Sequence, residues 1–329
     1  MRQAVARACL LVLAFSGAML ISACGDDDRG AAADEIRAED IVRDRELELK
    51  ARQIERLERR LRQDNGAALE DPAPSTENLR RLDGLQRLGR EMGGEVGAAV
   101  GLPGSAPGVI AGTLASGSAW STIKVPIALR VLQDAGGPGM LTEGQRSQIE
   151  RALTLSDNEA AAQLFAGIGQ SHGGVPAAAG AVTEVLRQSG DRSTVVSTQG
   201  RDGFSSYGQT DWSLVSQAQF MGALFAGCLG SAQSRELLLE LMGRVTSDTW
   251  GLGSAGVPAR WKGGWGPDVD GRYLARQMGI LHVGGRNLAV AIAAKAHDGQ
   301  YESAQQLATA TAQWIVQNGG ALSHQERVC

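Results

Sequence analysis

This chain has few of the histidines and cysteines that commonly bind metals. Its four histidines and four cysteines are scattered over 329 residues with no ligand spacing, so neither a metal nor a cofactor is expected. A net charge of −4 carries no argument for nucleic-acid binding. The apolar run at residues 8–20 is too short for a comfortable membrane span. Aromatics are scarce at 4 %, although six of them are tryptophans, and Trp120, Trp250, Trp261 and Trp265 cluster around the polar motifs described below. A hydrophobic share of 43 % and a charged share of 21 % are ordinary for a globular protein of this length.

The few cysteines have separable uses. Arg2 and Arg7 give a basic start, the apolar run follows, and Leu20-Ile21-Ser22-Ala23-Cys24 closes it. Small residues before a cysteine at this point resemble a bacterial lipoprotein cleavage box. Residues 1–23 then form a leader, and Cys24 becomes the lipidated first residue of an exported chain, anchored to the outer face of the cytoplasmic membrane. The other reading is a plain signal peptide cut nearby, with Cys24 incidental. Cys9 leaves with the leader. Cys228 and Cys329 remain, and in an exported protein two such residues are expected to pair, although the sequence does not show that their sulfurs are close.

Residues 24–75 read as anchor, stalk and linker. Asp34 to Asp64 is dense in Glu and Arg and free of Gly and Pro, with Leu47, Ile54, Leu57 and Leu61 at heptad-like spacing. Two readings stand: a coiled-coil dimer through 34–64, or a solvated helix that holds the next domain off the membrane.

The folded domain is assigned to 76–329. Apolar periodicity predicts a helix over Glu77–Met92 and strands over Gly93–Gly101 and Val109–Leu114. A helix from Ser121 to Gly136 follows, then a helical, Ala-rich stretch from Leu141 to Met242 that holds Ser156. A strand over Arg260–Gly264 and a turn over Gly266–Gly271 come next. Strands over Tyr273–Val283 and Leu288–Ala294 precede a closing helix over Glu302–Gln317. Pro126 is expected to kink the first turn of its helix. Strands at both ends and helices between them suit an α+β sandwich: an antiparallel sheet covered by terminal helices, with an inserted helical lobe.

Chemistry concentrates in three short stretches. In Trp120-Ser121-Thr122-Ile123-Lys124 a hydroxyl and an amine stand three residues apart. On a helix they share a face, within reach of each other. A lysine desolvated in a cleft can lose its proton and act as a base, and a helix start favours a developing oxyanion. Together these make an activated serine nucleophile. Downstream lie Ser156-Asp157-Asn158 and Lys262-Gly263-Gly264. Taken singly, these residues also have ordinary uses, Ser156 or Asn158 as a cap and Lys262 as a surface strand residue.

In this order and spacing, the three motifs resemble those of class A β-lactamases and penicillin-binding proteins. The resemblance runs from about Thr76 to the C-terminal helix. It implies an acyl-enzyme on Ser121 with Lys124 as its base. Ser156 would relay a proton, Asn158 would hold Lys124 and a substrate amide, and Lys262 would assist the relay and attract a substrate carboxylate. The backbone N–H groups of Ser121 and Trp265 would form an oxyanion hole, with Gly263 and Gly264 lining the substrate strand. The implied partners are a β-lactam or a peptidoglycan stem peptide. Two departures stand out. Gly263 replaces the usual threonine, whose hydroxyl helps to bind a carboxylate. Gly190 to Gln209 lacks the glutamate that prepares water for deacylation, and Asp191 and Asp202 are its only carboxylates. Asp202, the nearer by rough alignment, suits a turn better than a base. The resemblance therefore implies an acyl-enzyme that clears β-lactams poorly. A β-lactamase with a rearranged loop, or a binding lipoprotein that has lost turnover, are the alternatives.

Lipidation is checked by metabolic labelling with a fatty-acid probe. The wild type is expected to label and Cys24→Ala to lose the label; a label that persists in the variant refutes the assignment.

Overall fold

The computed structural model describes residues 76–318, with side chains from Asp83 onward. The expected leader, the stalk and its heptad-like stripe, Cys24 and Cys329 lie outside the described residues. Cys228, half-buried, follows the sixth helix, and its expected pairing with Cys329 therefore stays a proposal.

A five-stranded antiparallel sheet organises the domain. Its strands are β1 (Gly94–Gly101), β2 (Val109–Gly112), β3 (Ala259–Pro267), β4 (Tyr273–Val283) and β5 (Arg286–Ala296). They stand in the order β2-β1-β5-β4-β3. Strands from the two ends of the domain meet where β1 pairs with β5, Val96 opposite Ala294 and Val100 opposite Val290. Helices α1 (Thr76–Glu91) and α8 (Tyr301–Asn318) flank one face. The lobe between β2 and β3 holds α2 (Lys124–Ala135), α3 (Glu143–Thr154), α4 (Asn158–His172), α5 (Val175–Gln188), α6 (Leu214–Ala226) and α7 (Ala232–Gly243).

The central strand explains why its sequence is nearly all apolar. Side chains alternate across a strand, and β5 is buried on both faces. Ala289, Ala291 and Ala293 pack with the lobe, where Leu214, Ala218 and Met221 of α6 come close. Val290, Ile292 and Ala294 pack with Leu307, Ala308 and Ile315 of α8. A strand covered on both sides shows no polar alternation.

Several boundaries moved, each for a local reason. β4 has its expected bounds, whereas β3 runs on to Pro267, paired residue for residue with β4 as far as Tyr273. The turn therefore begins at Asp268, and β2 stops at Gly112. The α-helix after Ser121 starts only at Lys124, which leaves Pro126 in its first turn, where the missing N–H has no intrahelical partner to lose. Ser156 lies between helices: Asp157 caps α4 by accepting from the Ala160 N–H at 3.0 Å.

One fully buried cation ties sheet to lobe. Arg276 of β4 is 0 % exposed. It donates to Gly117 O (2.5 Å), Ser118 O (3.0 Å), Trp212 O (2.8 Å) and Gln217 Oε1 (2.8 Å). Gln217 in turn donates to Thr122 Oγ1 at 2.8 Å, and Thr122 donates to Ala119 O. The loop before Ser121 is thus held from below by β4 and α6. Arg276→Met leaves several buried oxygens without a donor and is expected to cost about 3 kcal/mol or more. The urea midpoint is the measurement, and an unchanged midpoint would show that the network adds nothing to stability.

Candidate active site

The Ser121 turn is tighter than an α-helix. Trp120–Ile123 is a 3-10 turn running into α2. With three residues per turn, positions i and i+3 eclipse, so Ser121 and Lys124 stand one above the other. Ser121 is half-buried, whereas Lys124 is 2 % exposed.

Lys124 does not bond to Ser121 in this state, contrary to the simplest reading of the motif. Its Nζ donates to Ser156 O at 2.6 Å and Asn158 Oδ1 at 2.7 Å, with Ser156 Oγ at 3.4 Å. Lys262, 0 % exposed on β3, donates to Ser156 Oγ at 2.8 Å and Gly263 O at 2.7 Å. The structure therefore brings Lys124, Ser156, Asn158 and Lys262 together, with the Ser156 hydroxyl between two ammonium groups.

Burial weakens the proton affinity of both lysines. Lys124 is lowered to about 7, first by desolvation and then by the charge of Lys262, with Asp248 and Asp157 opposing. Lys262 is lowered to about 8 by desolvation, again opposed by Asp248. A lysine near neutrality on the Ser121 turn has the protonation behaviour of a general base.

Gly264 shapes the gap between strand and Ser121. A Cβ there would lie 2.6 Å from Ser121 N and 2.9 Å from Trp120 Cβ. Only glycine lets the edge strand approach the Ser121 backbone so closely, and the expected second oxyanion donor, Trp265 N–H, belongs to the next residue.

Backbone strain, among the described residues, gathers in this region. Among the described residues, the non-glycine residues with positive φ are Trp120 (49°), Ser156 (57°) and Asp248 (51°). Such conformations cost about 1–3 kcal/mol each and gather at functional sites. Trp120 leads into Ser121, and Ser156 bridges the lysines. Asp248 lies 3.9 Å from Lys262 through Oδ2. Sequence reasoning missed Asp248, because an aspartate in a loop carries no signal of the fold that brings it to β3.

The carboxylates of the 190–209 loop are spent elsewhere. Asp191, 2 % exposed, accepts from Ser193 N, Ser193 Oγ and Thr194 N at 3.0–3.1 Å. Burial alone would raise its carboxyl, yet the hydrogen bonds from Thr194 and Ser193 hold it below its ordinary value. Asp202 is exposed in a turn. Its neighbour Arg201, also missed from the sequence, lies over the rings of Trp120 (5.6 Å) and Phe204 (5.0 Å) and donates to Pro267 O at 2.5 Å. An arginine between two rings therefore bridges the loop to the end of β3.

No family model matches the chain, and no curated protein matches it by sequence. Its fold, however, is that of class A β-lactamases and related penicillin-binding proteins. A β-lactamase from Burkholderia vietnamiensis is 22% identical with a TM-score of 0.59, covering 74% of this chain and 97% of its own. One from Chitinophaga pinensis is 16% identical with a TM-score of 0.60, covering 74% and 100%. A variant of PBP-A, solved as an acyl-enzyme complex with penicillin G, is 19% identical with a TM-score of 0.57, covering 74% and 97%.

A fluorophosphonate probe reads serine activation without a natural substrate. Labelling of Ser121 is expected to rise as pH passes through about 7, where Lys124 loses its proton. Lys124→Ala should abolish this rising limb, and a rate flat from about pH 6 to 9 would exclude Lys124 as the base.

Proposed function

We propose that this chain is a serine hydrolase or acyltransferase of the penicillin-recognising type. It forms an acyl-enzyme on Ser121 with a cell-wall peptide or related amide and clears β-lactam adducts slowly. The observation that carries this reading is the convergence of two buried lysines on Ser156 beside the Ser121 turn.

In the proposed reaction, neutral Lys124 takes the proton as Ser121 Oγ attacks the carbonyl carbon. The oxyanion meets the N–H groups of Ser121 and Trp265. The proton held by Lys124 returns through Ser156 Oγ, which also accepts from Lys262: Ser156 gives its proton to the leaving nitrogen as the amide bond breaks and takes the one from Lys124 in its place. Asn158 keeps Lys124 oriented through its 2.7 Å bond. Lipidated at Cys24, the domain would work at the outer face of the membrane, within reach of peptidoglycan stem peptides.

Deacylation needs a second base aimed at water. Asp191 is consumed by its own turn and Asp202 is exposed. A positioned general base contributes about 10²–10⁴-fold, so its lack lets the ester persist.

Fluorescent penicillin followed by intact mass tests the proposal. A long-lived adduct on Ser121 is expected, absent in Ser121→Ala and slow to form in Lys124→Ala. Rapid hydrolysis with no adduct would favour a β-lactamase with another base, and Asp202→Asn would be the first variant to make. With neither adduct nor hydrolysis, the binding lipoprotein becomes the better reading.

A further inference from the structure

The face of β3 beside Lys262 is already occupied by a carboxylate. A Cβ at Gly263 would fall 2.6 Å from Asp248 Cβ and 2.7 Å from Asp248 Oδ2. The aspartate is fastened there at three points. Its Oδ1 accepts from Trp265 Nε1 at 3.0 Å. Its carbonyl accepts from Trp261 Nε1 at 3.0 Å and Gln277 Nε2 at 2.7 Å. The Asp248 side chain is 7% exposed, and its Oδ2 is buried with no hydrogen-bond partner, turned toward Lys262 at 3.9 Å.

A negative charge held in this place has one clear effect on ligands. Lys262 is the buried cation to which an anionic substrate group would be drawn, and Asp248 has taken up part of its field. A second carboxylate would meet Asp248 at close range in a poorly hydrated cleft, where like charges repel strongly. The exposed group beside this carboxylate is the indole of Trp265, 42% exposed and stacked on Tyr301 at 4.2 Å. An indole presents an apolar face to a ligand.

We infer that Asp248 is a specificity-determining residue that turns the acyl-donor site toward substrates uncharged beside the scissile bond and away from carboxylates. This inference rests on the acyl-enzyme reading above for its reaction, but it is tested by binding as well.

The probes are benzylpenicillin and its methyl ester, with the full mature chain. Asp248→Asn keeps the Oδ1 acceptor for Trp265, and Asn tolerates the left-handed backbone well. Acylation is followed by intact mass, and a calorimetric titration on Ser121→Ala and Ser121→Ala/Asp248→Asn gives affinities without chemistry. Wild type is expected to favour the ester. The ester-to-acid ratio should fall about tenfold or more in Asp248→Asn, because the acid gains when a like charge is removed. A purely structural role would instead lower both probes together and leave the ratio alone. An unchanged ratio, an acid preference in the wild type, or no binding of the ester to Ser121→Ala would overturn the inference. An ester preference in binding with no adduct on Ser121 in any protein would leave the inference standing and remove the acyl-enzyme reading. Equal acylation by acid and ester would do the reverse.

Discussion

Two ammonium groups buried around one hydroxyl are the constraint on which this structure turns. Each is costly to remove from water, and the charge of Lys262 makes Lys124 harder to protonate. The protein tolerates them by surrounding them with oxygens. Lys124 has the Ser156 carbonyl and Asn158, Lys262 has the Ser156 hydroxyl and its own neighbour's carbonyl, and Asp248 supplies a nearby negative charge. The residual imbalance makes Lys124 a weak acid near neutrality, which suits the proton-accepting role proposed for it. Stability and reactivity here are two sides of one electrostatic compromise.

The surrounding fold keeps that compromise in place. Ser156 offers both its carbonyl and its hydroxyl to the lysines from a left-handed backbone, and such a conformation survives only where its surroundings over-determine it. The α4 cap on one side and the two lysines on the other supply that restraint. On the far side of the cleft, Arg276 grips the carbonyls ahead of Ser121 and ties β4 to the Ser121 turn.

Much of this was legible in the sequence, for identifiable reasons. Ser121, Lys124, Ser156, Asn158 and Lys262 fall in three short motifs, and the structure brings Lys124, Ser156, Asn158 and Lys262 together beside the Ser121 turn. The antiparallel sheet followed from strands at both ends of the domain, and β4 was found with its bounds because its apolar run ends in glycines. Arg276 was invisible: a charged residue inside an apolar strand looks like an outward-facing one until the opposing loop is placed. Asp248 and Arg201 were hidden likewise, since their partners lie at β3 or across the cleft in loops of no regular period. Lys124 also differed in detail, because a 3-10 turn and two competing acceptors turn its amine from Ser121 toward Ser156.

The contact between positions 248 and 263 also limits how this sequence can drift. With an aspartate packed where the side chain of residue 263 would stand, Gly263 cannot gain a hydroxyl-bearing side chain unless residue 248 first shrinks or turns away. The reverse order passes through an intermediate with two groups in one space. Two positions separated by the whole of the 248–263 connection therefore form a single heritable unit. Chains descending from this one would be expected to gain a side chain at 263 only after, or together with, a change at 248.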